Sequence, residues 1–252
     1  MTRHRRVLLL EDDAQIRRFV ALVLEAVDLE LVECACVADA VRAFEQGPVD
    51  VAICDLMLVG ESGFDLIEQV RQHAAWRATR VVVFSAAIDA ADRERMAALG
   101  VWGELAKPTP ISDLLRCVED ALAPMPARPA EAGATAAVPA AARLPSSADE
   151  RLAVARFFEG DQALFEAYRD SCRAQFPADV VQGDLACASA DWPAMRRLAH
   201  SLKTVLGSLG GADLASGFAA LEASARLAEA DAVRLQWQGL RSFLQQLAEP
   251  QA

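Results

Sequence analysis

Five short apolar runs, each followed by an amphipathic stretch, constrain the first half of this chain more than any other feature. The runs occupy residues 7–10, 31–35, 49–54, 81–85 and 103–106, and helical patterns lie between them near 14–27, 37–46, 64–74, 90–99 and 112–122. Strands that read as apolar throughout are covered on both faces, and strands alternating with helices form a parallel sheet. Residues 1–122 are therefore expected to fold as an α/β domain of five βα units.

Composition changes abruptly after residue 122. The 25 residues 124–148 hold five prolines and ten alanines, which marks residues 123–148 as a semi-extended linker. From Asp149 onward apolar residues recur at three- and four-residue spacing, and Asp161 and Asp191 stand as helix-start signals. Residues 149–252 thus read as an all-α bundle.

The formal net charge of −11 excludes a basic nucleic-acid-binding face, and the apolar runs are too short to span a bilayer. With no signal-peptide pattern after MTRHRR, the expectation is a soluble cytoplasmic protein. The six cysteines lack a zinc spacing and read as buried free thiols in a reducing compartment.

In an open parallel sheet, ligands bind outside the carboxyl ends of the strands. The first run ends in Glu11, Asp12 and Asp13, the third in Asp55, the fourth in Ser85, and the fifth in Lys107 and Pro108. Carboxylates gathered at one edge repel one another unless a proton or a cation neutralises them, and an all-oxygen donor set suits Mg²⁺. With charge neutralised by the metal and by Lys107, Asp55 is placed to attack phosphorus, and the Ser85 hydroxyl to contact the transferred group. Taken singly, each residue has a plainer role, since Asp12 or Asp13 would equally cap the helix beginning at Ala14.

Through VLLLEDD, ICDLMLVGESG, VVVFSAA and LAKP, residues 5–122 resemble a response-regulator receiver domain. The resemblance implies a flavodoxin-like, doubly wound sheet of order 2-1-3-4-5. It also implies Mg²⁺ (or Mn²⁺) held by Asp13, Asp55 and the main-chain carbonyl of Met57 with Asp12 nearby, phosphorylation of Asp55, phosphoryl contacts from Ser85 and Lys107, and a cis bond before Pro108. One position departs from the family. Glu104 stands where receivers usually carry an aromatic switch residue, with Trp102 two residues earlier.

The stretch LAHSLKTVLGSLGG carries the second cluster. At 100° per residue, Met195, Leu198, Leu202, Val205, Leu206 and Leu209 share one side of a helix, and His200 points away from them beside Lys203, Thr204 and Gly207. An exposed imidazole is largely neutral and nucleophilic near pH 7, and Lys203 lies one turn away to neutralise a phosphoryl group. Gly207 costs roughly 1 kcal/mol relative to alanine in a helix interior, which makes sense where a partner backbone approaches. The chain uses lysine only at Lys107 and Lys203, the two proposed phosphoryl sites. AHSLKTVLGSLGG resembles the signature of histidine-containing phosphotransfer (HPt) domains. That resemblance covers residue 149 to about 248 and implies a four-helix bundle with an extra N-terminal helix, phosphorylated on His200.

Neither a P-loop nor a glycine-rich nucleotide lid appears in the sequence, so the chain reads as a phosphotransfer protein that receives phosphoryl groups and not as an ATP-dependent kinase. The expected partners are a sensor histidine kinase, hybrid kinases included, and a separate response-regulator receiver. A coil of 25 residues spans about 25–30 Å, which also permits contact between the two domains of one chain. The alternative is a phosphorylation-gated adaptor or phosphate sink, whose helical half docks a kinase or receiver without relaying phosphate.

Overall fold

The computed structural model describes residues 4–86, 88–123 and 143–249. The chain divides into two compact units, Met1–Ala134 and Thr135–Ala252. Most of the linker expected at residues 123–148, namely 124–142, lies outside the described residues.

The first unit alternates β1 (Arg6–Leu10), α1 (Ala14–Leu24), β2 (Glu30–Cys34), α2 (Val37–Gln46), β3 (Val51–Cys54), α3 (Gly63–Gln72), β4 (Arg80–Ser85), α4 (Ala90–Ala98), β5 (Gly103–Ala106) and α5 (Ile111–Leu122). All strand pairs are parallel and the order is β2-β1-β3-β4-β5, as the resemblance implied. Burial explains the order. Val7–Leu10, Val51–Cys54 and Val81–Phe84 are all at most 2% exposed, so β1, β3 and β4 need helices on both faces. Alternate residues of these strands, among them Leu8, Ala52 and Val83, share one core with Phe44 of α2, Ile67 of α3 and Met96 of α4. Helices α1 and α5 meet each other away from that core.

Two expectations need correction. The pattern at 14–27 overruns the helix, which stops at Leu24, and residues 25–29 turn into β2. Nor is β2 apolar throughout. As an edge strand it leaves Glu30 and Glu33 exposed.

The second unit has five helices: α6 (Ser147–Phe157), α7 (Gln162–Ser189), α8 (Trp192–Ser208), α9 (Ala212–Arg226) and α10 (Ala230–Ala248). Asp161 and Asp191 accept from Leu164 N–H and Ala194 N–H, as N-caps do. Helix α6 starts two residues before Asp149, which instead closes a capping box with Ser146. From α7 to α10 each helix packs on the next, and α10 returns to α7, closing a four-helix ring. Phe165, Tyr168, Phe176, Leu206, Phe218 and Trp237 fill its centre.

Candidate functional site

The carboxyl ends of β1, β3, β4 and β5 converge on an acidic pocket. Asp55 follows β3 and is 2% exposed, with its N–H donating to the Leu10 carbonyl at 2.9 Å. Its Oδ1 accepts from Met57 N–H at 3.1 Å, and its Oδ2 accepts from Lys107 Nζ at 2.6 Å. Lys107 also donates to Glu11 Oε2 and lies 4.9 Å from the Phe84 ring centroid. The Lys107–Pro108 bond is cis, as the resemblance implied. Ser85 is 1% exposed, and its hydroxyl has no hydrogen-bond partner among the described residues, although its carbonyl accepts from Lys107 N–H at 3.0 Å.

The residues that could hold a cation differ from those expected in one respect. Glu11, Asp12 and Asp55 each bring a carboxylate oxygen within 4.8 Å of the others. Asp13, named as an ion ligand, caps α1 instead. Its Oδ1 accepts from Gln15 N–H at 2.7 Å and Ile16 N–H at 2.9 Å. The capping role that the sequence left open thus falls to Asp13, and Asp12 faces the pocket. Asp12 Oδ2 also accepts from Val59 N–H at 2.9 Å, which ties the β3–α3 loop to the site.

The electrostatics of the pocket suit a further positive charge. Burial raises the Glu11 carboxyl well above its ordinary range, and nearby Asp55 adds to the rise against the pull of Lys107. Burial raises Asp12 too, with Asp55 again adding. Burial opposes the charge on Lys107, yet Asp55 and Glu11 together hold its ammonium above its ordinary value. Three carboxylates around one ammonium leave an excess of negative charge that a hard divalent cation on oxygen ligands would neutralise.

At the β5 edge, Glu104 neither turns into the core nor stands free. Its side chain is 14% exposed and pairs with Arg93 of α4 at 3.5 Å.

The second unit holds a separate cluster. His200 of α8 is 4% exposed, which corrects the expectation of an open imidazole. The helical wheel allowed for one buried side only, whereas α7 and α9 flank α8 on two sides and widen its buried arc. His200 Nδ1 lies 2.8 Å from Glu222 Oε1, while Lys203 Nζ donates to Glu222 Oε2 at 2.7 Å. His200 Nε2 has no partner among the described residues. Burial alone would raise the Glu222 carboxyl. Hydrogen bonding and charge from His200 and Lys203 prevail and lower it to about 2. Thr204 Oγ1 donates to the His200 carbonyl at 3.3 Å. Gly210 adopts φ +86°, and a Cβ there would meet the Asp149 carbonyl oxygen at 2.7 Å. Glu222 is the functional-site candidate that sequence reasoning missed. Its only sequence signal is a lone acidic residue in the otherwise small and apolar run LASGFAALEASA.

The cysteines are all free; Cys34, Cys54, Cys117 and Cys172 are buried, whereas Cys36 and Cys187 are only partly covered, contrary to the expectation for all six. No helix among the described residues is long and apolar enough to cross a membrane.

Comparison with known proteins matches residues 7–119 to the family described as the response regulator receiver domain. The phosphate regulon transcriptional regulatory protein PhoB of Klebsiella pneumoniae is 34% identical over 104 residues, 41% of this chain and 45% of that protein. The transcriptional regulatory protein GltR of Pseudomonas aeruginosa is 31% identical over 111 residues, 44% of this chain and 46% of its own length. The chain thus spans less than half the length of these curated relatives. Among solved structures, chemotaxis protein CheY4 of Vibrio cholerae is 23% identical with a TM-score of 0.45, covering 46% of this chain and 98% of that one. With the strand-end pocket and the family match in agreement, residues 7–119 are a response regulator receiver domain, a module of two-component systems.

Proposed function

We propose that this chain is a phosphorelay protein: the receiver takes a phosphoryl group on Asp55 from an upstream phosphohistidine, and the helical domain carries phosphoryl on His200 to or from a receiver aspartate. The observation that carries the first half is the buried Asp55 carboxylate, held at 2.6 Å by Lys107 beside the Ser85 hydroxyl, which has no partner among the described residues. An Asp55 oxygen attacks phosphorus, the P–N bond of the donor breaks, and the donor imidazole leaves as a neutral ring. Lys107 neutralises charge on the incoming phosphoryl group, and the Ser85 hydroxyl donates to one of its oxygens. Asp12 and Asp55, with the Met57 carbonyl, would hold Mg²⁺ or Mn²⁺, which when bound supplies further neutralisation of the phosphoryl oxygens.

The second half rests on His200, whose Nε2 has no partner among the described residues, while Glu222, itself held by Lys203, meets Nδ1. Because the ring is buried, transfer requires that Nε2 be uncovered. The chain acts as a carrier and not as an ATP-dependent kinase, with a sensor histidine kinase upstream and a second receiver as its partner, both cytoplasmic. The output of the transcriptional relatives does not carry over. Their match is to less than half of their own length, and residues 149–252 hold fourteen acidic against ten basic residues, which argues against a DNA-binding face.

The test uses ³²P-labelled phosphoramidate, a small P–N donor, on the full chain with Mg²⁺, and separates base-labile acyl phosphate from acid-labile phosphohistidine. Wild type is expected to carry both kinds of label, Asp55→Ala no acyl phosphate, and His200→Ala only the acyl phosphate. If the wild type never shows label on His200, the relay is lost and a phosphorylation-gated adaptor or sink remains.

A further inference from the structure

Helix α7 carries a second apolar face that the bundle does not use. Its buried residues, from Phe165 and Tyr168 to Gly183 and Ala186, turn inward. At 100° per residue the opposite side of the helix is formed by positions 167, 171, 174, 178, 181, 185 and 188. None of these residues is charged, and all but Ser171 are exposed, Val181 to 59% and Leu185 to 64%. Steps that alternate between four and three residues are those of a seam that stays against a partner helix along its whole length.

The seam matches itself when reversed. About a two-fold axis through Ala178, Ala174 meets Val181 of the second copy, Ser171 meets Leu185, and Ala167 meets Ala188. Each large side chain thus falls on a small one, and Ala178 lets the helix axes approach to about 8 Å at the crossing. A parallel pairing would set Leu185 against Leu185 and alanine against alanine, with gaps between the leucine and valine contacts. Charge agrees with the reversed pairing. On one flank Gln175 and Gln182 of the two copies meet, and both are neutral. On the other flank Asp170 faces Asp184 of the second copy, and each is already engaged. Asp170 pairs with Arg169 at 3.5 Å, and Asp184 accepts from Trp237 Nε1–H at 2.8 Å and pairs with Arg241 at 2.8 Å.

We propose that α7 pairs antiparallel with α7 of a second copy of this chain through the outward seam centred on Ala178. From 167 to 188 the seam is about 32 Å long, and a strip one helix wide buries on the order of 300–400 Å² per copy, below the roughly 800 Å² of a stable interface. The dimer is therefore transient and forms at high protein concentration. The seam includes neither His200 nor Glu222, which lie on α8 and α9, so the inference stands apart from the phosphoryl reading.

Sedimentation velocity of the full chain from about 5 to about 500 µM tests the pairing. Wild type is expected to associate reversibly across that range, and Val181→Glu and Leu185→Glu to raise the dissociation constant about tenfold or more. Leu227→Glu, at a leucine 63% exposed outside the seam, is expected to leave it unchanged. Orientation is read from air oxidation of Ala178→Cys and Leu185→Cys, each compared with wild type to allow for the native thiols. Ala178→Cys is expected to give a covalent dimer. Leu185→Cys is not, because the two positions 185 lie about 21 Å apart along an antiparallel pair, well beyond disulfide reach. A chain that stays monomeric throughout overturns the proposal, and receiver amide signals that shift in Leu185→Glu would then show that the seam is covered within the chain. A dimer that Leu185→Glu leaves intact also overturns it. Covalent dimers from Leu185→Cys as readily as from Ala178→Cys would overturn the antiparallel arrangement in favour of a parallel one.

Discussion

Asp12 and Glu222 are both partly buried carboxylates, and their surroundings push them in opposite directions. Asp12 is raised by burial and by Asp55, which outweigh the Val59 N–H and the more distant Lys107. Replacing it by asparagine removes one like charge and keeps an oxygen for Val59 N–H. In metal-free buffer Asp12→Asn should therefore raise receiver stability by about 1 kcal/mol, a value discounted for its partial exposure, while the stabilisation that Mg²⁺ gives the wild type should largely vanish. Urea denaturation with and without Mg²⁺ checks both. Glu222 is the reverse case. Its carboxyl lies at about 2 against an ordinary 4.5, so the hydrogen bond with His200 and the ion pair with Lys203 contribute fully above about pH 4.5 and fade as pH falls toward 2. The stability advantage of wild type over Glu222→Gln should shrink across that window. A constant difference down to pH 2 would mean that the carboxylate charge contributes nothing. Sequence located Asp12 and Asp55 because strand ends are readable from apolar runs. It assigned the ion to Asp13 because neighbouring residues at a strand end point different ways, and only the N–H groups of Gln15 and Ile16 decide which one caps the helix. Glu222 was illegible because it is 22 residues from His200 and meets it through the crossing of α8 and α9.

At the scale of elements, the β3–α3 connection shows how backbone packing sets the site. Ser62 and Asp65 form a capping box that starts α3 at Gly63. That start lies directly against the strand end, since a Cβ on Gly63 would fall 1.9 Å from the Asp55 carbonyl oxygen and 2.8 Å from Cys54 Sγ. The loop between them is fastened to two other strand ends. Val59 N–H donates to Asp12, and Glu61 Oε2 accepts from Val37 N–H at 2.8 Å, capping α2 where Cys36 supplies no side-chain bond. Gly63→Ala must push α3 away from β3 or shift the Asp55 backbone. An expected loss of about 2–3 kcal/mol should accompany a loss of acyl-phosphate formation at Asp55, measured by denaturation and by label. Gly60→Ala is the control within the same loop, where a Cβ meets nothing within 4 Å and the positive φ of 74° gives the modest cost of a left-handed residue. If the two variants behave alike, close approach is not what fixes the glycine. The sequence placed every element of this half to within a few residues because buried strands and capped helices leave strong patterns. It could not reveal contacts such as Glu61 with Val37, in which a loop caps a helix 24 residues away.

Across the whole molecule, the two units bury separate sets of side chains. The first closes around Leu8, Leu10, Phe44, Ala52 and Ile67, and the second around Phe165, Phe176, Phe218 and Trp237. Each unit is large enough to fold on its own core, since domains of about 100 residues commonly do. The proline- and alanine-rich residues 124–148 offer few large apolar side chains, only Met125, Val138 and Leu144, with which to join the two cores. Unfolding of the full chain should then proceed in two steps and not as one cooperative transition. The assignment follows from substitutions that act in one unit only. Asp12→Asn and added Mg²⁺ should move one transition and leave the other in place, and Glu222→Gln should do the converse, with the double variant additive within about 0.5 kcal/mol. Differential scanning calorimetry of the four proteins measures this directly. A single transition that both substitutions shift together would mean that the receiver and the bundle are energetically coupled. In that case the charge state of the Asp55 pocket would reach His200 through the fold.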